Sequence, residues 1–313
     1  MIFPARLVVV AAVGAIAVSV TAGKPLPRLP DGHPDLQAVW ENSTLTPLER
    51  PLALGDRAFF TEAEAVDYVS PERVRERLEA KNGVGEGRVS GEIGTDWRET
   101  KRLEPSRRAA LIVDPPTGRL PALSPQARLR RDTRATNQRE HLADNPEELS
   151  LSERCLIWGA DPPMVPVSYN NLLQIVQTPT TLMILTEMVH DARVIPLDGR
   201  LHLPATVRRW TGDPRGHWEG ETLVVDSTNF TDKTAFQGTS DGLHVIERFT
   251  RTDVDTLRYD FFVEDAASFA RAWTGTLTMT RTTGPIFEYA CHEGNYSIVG
   301  ILRGARAKER ERQ

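Results

Sequence analysis

The chain lacks most of the features that announce a cofactor or an activated nucleophile. No Gly-x-Ser-x-Gly elbow occurs, and neither Ser152 nor Ser168 stands in a nucleophile's pattern. A Walker A sequence is absent. Gly83-Val84-Gly85-Glu86-Gly87 has neither the preceding strand nor the final glycine of a dinucleotide fingerprint. The histidines show no HxH or HExxH spacing, so no metal ion is expected. There are two cysteines, Cys155 and Cys291, and no CxxC, which argues against a cysteine metal cluster or a dithiol redox centre. Arginines are scattered among acids at a net charge of −5, so no nucleic-acid partner is expected. Cofactors are expected to be none.

Only one apolar run stands out, at residues 7–20 behind Arg6. It is short of the ~20 apolar residues that span a bilayer comfortably. Val20-Thr21-Ala22 places small residues where a signal peptidase reads, so residues 1–22 are predicted to be a cleaved export signal. An uncleaved N-terminal anchor is the rival reading. A periplasmic or secreted location follows, with no stable membrane insertion after cleavage. In an exported protein the two cysteines suit a disulfide between Cys155 and Cys291, with two buried free thiols as the alternative.

Residues 23–34 form a proline-rich linker, and residues 35–48 carry a first strand ending at Trp40. Residues 49–165 are predicted to be a helical and irregular insertion. Thr61-Glu62-Ala63-Glu64 is a capping box, Ser70-Pro71-Glu72 opens a second helix, and Ser124-Pro125 opens an arginine-rich third that runs to Glu140. Residues 82–94 are glycine-rich and read as a loop. From 166 to 302 the period becomes that of strands: 172–177, 181–189, 190–196, 218–225, 244–251, 256–263, 273–281 and 286–293, joined by tight turns. Such a meander closes most easily into a barrel or a strongly curled sheet, with a β-sandwich as alternative. The fold class is thus mainly β with a helical insertion, an antiparallel up-and-down barrel, and residues 303–313 form a short basic C-terminal tail that reads as a frayed helical end. Oligomeric state leaves no trace in the sequence.

The stretches 170–179, 190–200 and Tyr289-Ala290-Cys291-His292-Glu293-Gly294-Asn295-Tyr296, with Pro34-Asp35-Leu36-Gln37-Ala38-Val39-Trp40, resemble a large family of secreted bacterial proteins abundant in acidobacteria and sphingomonads. The resemblance covers nearly all of the mature chain and implies export and a calycin-like, lipocalin-like barrel. It brings no established catalytic residues. Family members usually carry a glycine two residues before that tryptophan, where this chain has Ala38.

Candidate chemistry lies where polar residues interrupt apolar strand faces, since residues two apart share a face. Leu243/Val245/Glu247/Phe249 is apolar except for Glu247. A buried carboxylate must be paired, hydrogen-bonded or neutral. Unpaired, Glu247 suits a general acid or base; paired, its partner would be an arginine such as Arg193 or Arg248. Phe287/Tyr289/Cys291/Glu293 is a second such face, beside His292 and Asn295. Glu187/Val189/Asp191/Arg193 is a third, with His190 on the opposite side.

If these faces share a lumen, Arg193 would hold a substrate carboxylate or phenolate while Glu247 or Glu293 transfers a proton, with His190 as a further catalytic candidate. Glu187, Tyr289, Asn295 and His292 would contact the substrate. Trp210, Trp218 and Trp273 read as packing anchors. The expected function is a cofactor-independent acid/base enzyme (decarboxylase, lyase or isomerase) acting on a small apolar or aromatic molecule, in the setting of lignin-derived aromatic breakdown. Phenolic acid decarboxylases, which use calycin-type barrels, supply the analogy. The alternative is a non-catalytic periplasmic lipocalin-like protein that binds a small hydrophobic ligand. A third reading is an interaction protein docking through the arginine-rich helix.

Overall fold

A computed structural model describes residues 25–82, 102–141, 143–159, 161–233 and 236–311. Residues 1–22, expected above to be an export signal, and nearly all of the glycine-rich stretch, including Gly83–Gly87, lie outside the described residues. Ten strands form one antiparallel sheet: β1 (Ala38–Glu41), β2 (Ile112–Asp114), β3 (Leu172–Gln177), β4 (Thr181–Thr186), β5 (Ala192–Pro196), β6 (Asp213–Glu219), β7 (Thr222–Thr228), β8 (His244–Asp253), β9 (Thr256–Glu264) and β10 (Trp273–Thr282). Four α-helices accompany them: α1 (Glu62–Tyr68), α2 (Pro71–Asn82), α3 (Pro125–Glu140) and α4 (Tyr296–Glu311).

The sheet runs β5-β4-β3-β1-β10-β9-β8-β7-β6, with β2 added to β10. The N-terminal strand is therefore central: β1 pairs with β3 on one side and β10 on the other. Buried and open positions alternate along β8, β9 and β10, the period of a half-buried strand. Their inner faces carry Phe249, Tyr259, Phe261, Trp273 and Leu277, which join Trp40, Leu173 and Ile184 in one core. Phe261 lies against Gly275 on the facing strand, in the space a side chain there would occupy.

Strands far apart in this order touch through the interior, which requires the sheet to curl over itself. Arg193 on β5 pairs with Glu247 on β8, and the Arg251 guanidinium of β8 lies 5.4 Å from the Trp40 ring centre. The curl stops short of the expected closed barrel. Among the described residues no ladder joins the end strands β5 and β6. The ends meet through side chains instead: a Cβ on Gly216 of β6 would come 3.1 Å from Ile195 Cγ2 and closer still to Leu197. Glycine is what lets that backbone approach.

Between β1 and β3 the chain makes its long excursion. Thr61 and Glu64 cap α1 reciprocally, at 2.9 and 3.2 Å. Ser124 Oγ accepts from Ala127 N at 3.1 Å and donates to Ala267 O at 2.8 Å, so the cap of α3 also fastens it to the loop before β10. Leu111, Ile112 and Met164 of this excursion enter the sheet's core. Two other expectations fail. Residues 286–293 form no strand, although Phe287 and Tyr289 alternate as one would; they join no ladder of the sheet, and Phe287 N is taken by the Glu187 carboxylate instead. The helical end expected from 303 is not a frayed tail: it belongs to a longer helix, α4, that already begins at Tyr296.

Candidate functional site

The acid that sequence reasoning singled out is sealed. Glu247 is 0% exposed and faces Arg193, at 2%. Arg193 Nη1 donates to Glu247 Oε1 at 3.0 Å, and Nη2 donates to Oε2. Tyr259 Oη donates to Oε1 at 2.8 Å and accepts from Met164 N at 2.9 Å. Of the two readings, the ion pair is the one observed, with Arg193 and not Arg248; Arg248 pairs with Glu219 on the outside. Both terminal nitrogens of the Arg193 guanidinium are taken by Glu247, so Arg193 does not present an open terminal fork to a substrate carboxylate. Burial opposes its charge, but Glu247 more than offsets this and raises the guanidinium pKa.

The remaining candidates do not converge on that pair. Glu187 is buried and its Oε1 accepts from Phe287 N at 3.2 Å. His190 and His292 are exposed, as is Glu293. His190 Nδ1 lies 3.0 Å from the Tyr289 carbonyl oxygen. Tyr289 Oη meets Tyr169 Oη at 3.2 Å, and burial pushes the Tyr169 phenol above its ordinary range. Asn295 Nδ2 donates to Glu153 O at 2.7 Å and lies 3.3 Å from Cys155 Sγ. Cys155 and Cys291 are joined in a disulfide across 136 residues, which suits an oxidising compartment. Tyr289, Asn295 and Cys291 line a cavity of about 520 Å³ under α4, closed on the other side by Leu149 and Trp158.

A larger groove, about 1490 Å³, opens between α3, the segment 147–161 and the turn 232–241. Its apolar lining includes Leu123, Leu149, Ile157, Trp158 and Phe269, and α3 contributes Arg128, Arg130, Arg131 and Arg134. Arg130 bonds to Ser268 Oγ at 2.8 Å and Arg134 to Asp232 O at 3.2 Å. Asp161, which the sequence analysis passed over, also lines this groove. It precedes Pro162-Pro163-Met164, a stiff link whose Met164 amide is held by Tyr259, so the loop bearing the acid is tied to the sealed pair.

Asp161 is half-buried. Loss of water raises its carboxyl above the usual range, and Asp191 adds to this while Arg193 opposes it. Asp191, at the head of β5, is raised for the same first reason. One guanidinium thus acts on three carboxyl groups, Glu247, Asp161 and Asp191, and Glu247 takes both of its terminal nitrogens. Desolvated carboxyls short of counter-charge hold their proton to higher pH than free ones, the direction a proton donor needs.

Among the described residues no group of three or more His, Cys, Asp or Glu side chains is arranged to hold a metal ion, and no helix is long and apolar enough to cross a membrane. Comparison of the chain with protein-family models, with curated proteins and with solved structures finds no match in any of the three.

Proposed function

We propose that the protein is an exported, cofactor-independent acid/base enzyme acting on a small apolar or aromatic substrate, with Asp161 as the group that moves the proton. The single observation behind this is the charge imbalance around Arg193, which leaves Asp161 short of counter-charge on the wall of a large, partly apolar groove. The roles first given to Glu247 and Arg193 pass in this reading to support. They hold the charge and, through Tyr259 and Met164, the loop that carries Asp161. A decarboxylase, lyase or isomerase fits, since each needs a proton delivered to or taken from carbon and no cofactor. The proposal includes kinship with the secreted bacterial family that the motifs resemble, and takes the curled sheet as an open relative of the calycin barrel.

The test is turnover of a panel of small aromatic acids by the purified mature protein, followed by optical absorbance and chromatography. Asp161→Asn should lower kcat by about 10²–10⁴-fold with the fold intact. Saturable binding without turnover, unchanged in Asp161→Asn, would instead establish the carrier reading, which the sealing of Glu247 favours.

A further inference from the structure

On the outer side of the sheet, away from Glu247, two histidines share one carboxylate. His244 Nε2 on β8 lies 3.1 Å from Asp226 Oδ1 on β7, and His202 Nε2 from the β5–β6 connection lies 3.3 Å from the same oxygen. Each ring has a second acid at its other nitrogen. His202 Nδ1 is 3.3 Å from Asp213 Oδ2 on β6, and His244 Nδ1 is 3.6 Å from Glu264 Oε2 on β9. Arg215 on β6 pairs with the other oxygen of Asp213 at 2.7 Å.

Proton counting constrains this arrangement. A neutral imidazole carries one N–H and can donate at one nitrogen only; an imidazolium donates at both. Two rings flanked by carboxylates at both ends are satisfied together only when both are protonated. The charges then balance: three carboxylates against Arg215 and two imidazolium ions. With both rings neutral, two negative charges are left facing one another and both Asp226 contacts weaken.

The cluster also fastens a connection. Residues 198–212 run over this side of the sheet, held at His202, at Leu203 N (2.7 Å to Asp213 Oδ2) and at Arg209 N (2.9 Å to Asn229 O). Further along, Arg208 pairs with Asp241 at 3.3 Å, and Asp241 lines the groove.

We propose that His202 and His244, sharing Asp226, form a proton-operated latch that holds the 198–212 connection to the sheet and lets it loosen as the rings lose their protons. The hydrogen bond to Asp226 raises the His244 pKa and lowers that of Asp226, so the His244 arm of the latch holds to higher pH than an ordinary histidine would. Asp213 is lowered too: burial opposes its charge, but Leu203 N and Arg215 outweigh it. Through Arg208 the latch reaches the groove rim. That consequence rests on the proposed function, whereas the latch itself does not.

The test uses the full mature chain without substrate, in a chelating buffer, by hydrogen exchange from pH 5.5 to 9. Protection factors at Leu203 and Arg209 should fall by up to about tenfold per pH unit, per coupled proton, between the unlatched and the latched imidazole pKa, and level off above it. In His202→Gln/His244→Gln the same amides should show pH-independent protection. Constant protection in the wild type, or an unchanged fall in the double variant, would overturn the latch. Should the double variant misfold, ring-carbon NMR of the wild type decides: two histidines titrating interdependently support it, and two independent titrations at ordinary values refute it. Turnover plays no part in any readout, so loss of the enzymatic reading leaves the result intact.

Discussion

Arg193 and Glu247 lie on strands six places apart in the sheet order, yet meet face to face with both nitrogens on both oxygens in the core. A contact of that kind measures how tightly the sheet is curled. It also changes what a substitution at Glu247 means.

Glu247→Gln removes the charge and keeps the shape, leaving a buried guanidinium unpaired. Breaking a buried pair from one side costs about 3–5 kcal/mol, so the variant should unfold at clearly lower denaturant. Arg193→Met/Glu247→Leu should recover most of that loss. Equal loss in the single and the double variant would show that the pair's attraction is not what matters.

The need for a partner at Glu247 was legible in the sequence, because one acid interrupts an apolar strand face. Which partner was not, since Arg193 approaches across the curl and no local periodicity encodes that. Strands 172–177, 256–263 and 273–281 could be read from alternation alone. The same alternation misled at Phe287/Tyr289/Cys291/Glu293, where the pattern exists but the backbone at Phe287 is taken by the Glu187 side chain and Cys291 is tied to Cys155. Asp161 left no signal: in the sequence it stands among Gly159 and two prolines, and the charges that act on it, Asp191 and Arg193, come from a distant strand and its approach. The disulfide was anticipated from compartment chemistry and is the pairing observed.

Gly275→Ala should destabilise the sheet by about 1–3 kcal/mol, because the added methyl would occupy the space of the Phe261 ring. Thermal unfolding gives the readout. Adding Phe261→Leu should return part of the loss, and no rescue would place the strain in the backbone.

Cys155→Ser/Cys291→Ser opens a 136-residue crosslink and should cost about 2–4 kcal/mol. Hydrogen exchange should rise first in α4 and residues 286–295, which the bond ties to the 150s segment. Uniform loosening of the whole sheet would contradict this local role.

Asp161→Asn should stabilise the protein at neutral pH, in contrast to its expected effect on turnover. A carboxyl whose folded pKa is raised contributes stability at low pH and loses it as pH climbs from the unfolded value near ~3.9 through the folded one. Replacing it should gain about 0.5–2 kcal/mol at pH 7, and the gain should vanish near pH 3. A loss at pH 7 that vanishes near pH 3 would mean instead that the ionised acid is structural.

The seam where Gly216 meets Leu197 and Ile195 bears on how the molecule keeps to itself. An open sheet has two end strands whose free backbone groups can template another chain. Here the two ends lie against each other, each screening its counterpart without a single ladder bond between them. Self-association is therefore guarded by a side-chain contact alone. A bulky residue at position 216 would turn a folding defect into a filament- or aggregate-forming one before the core itself gives way.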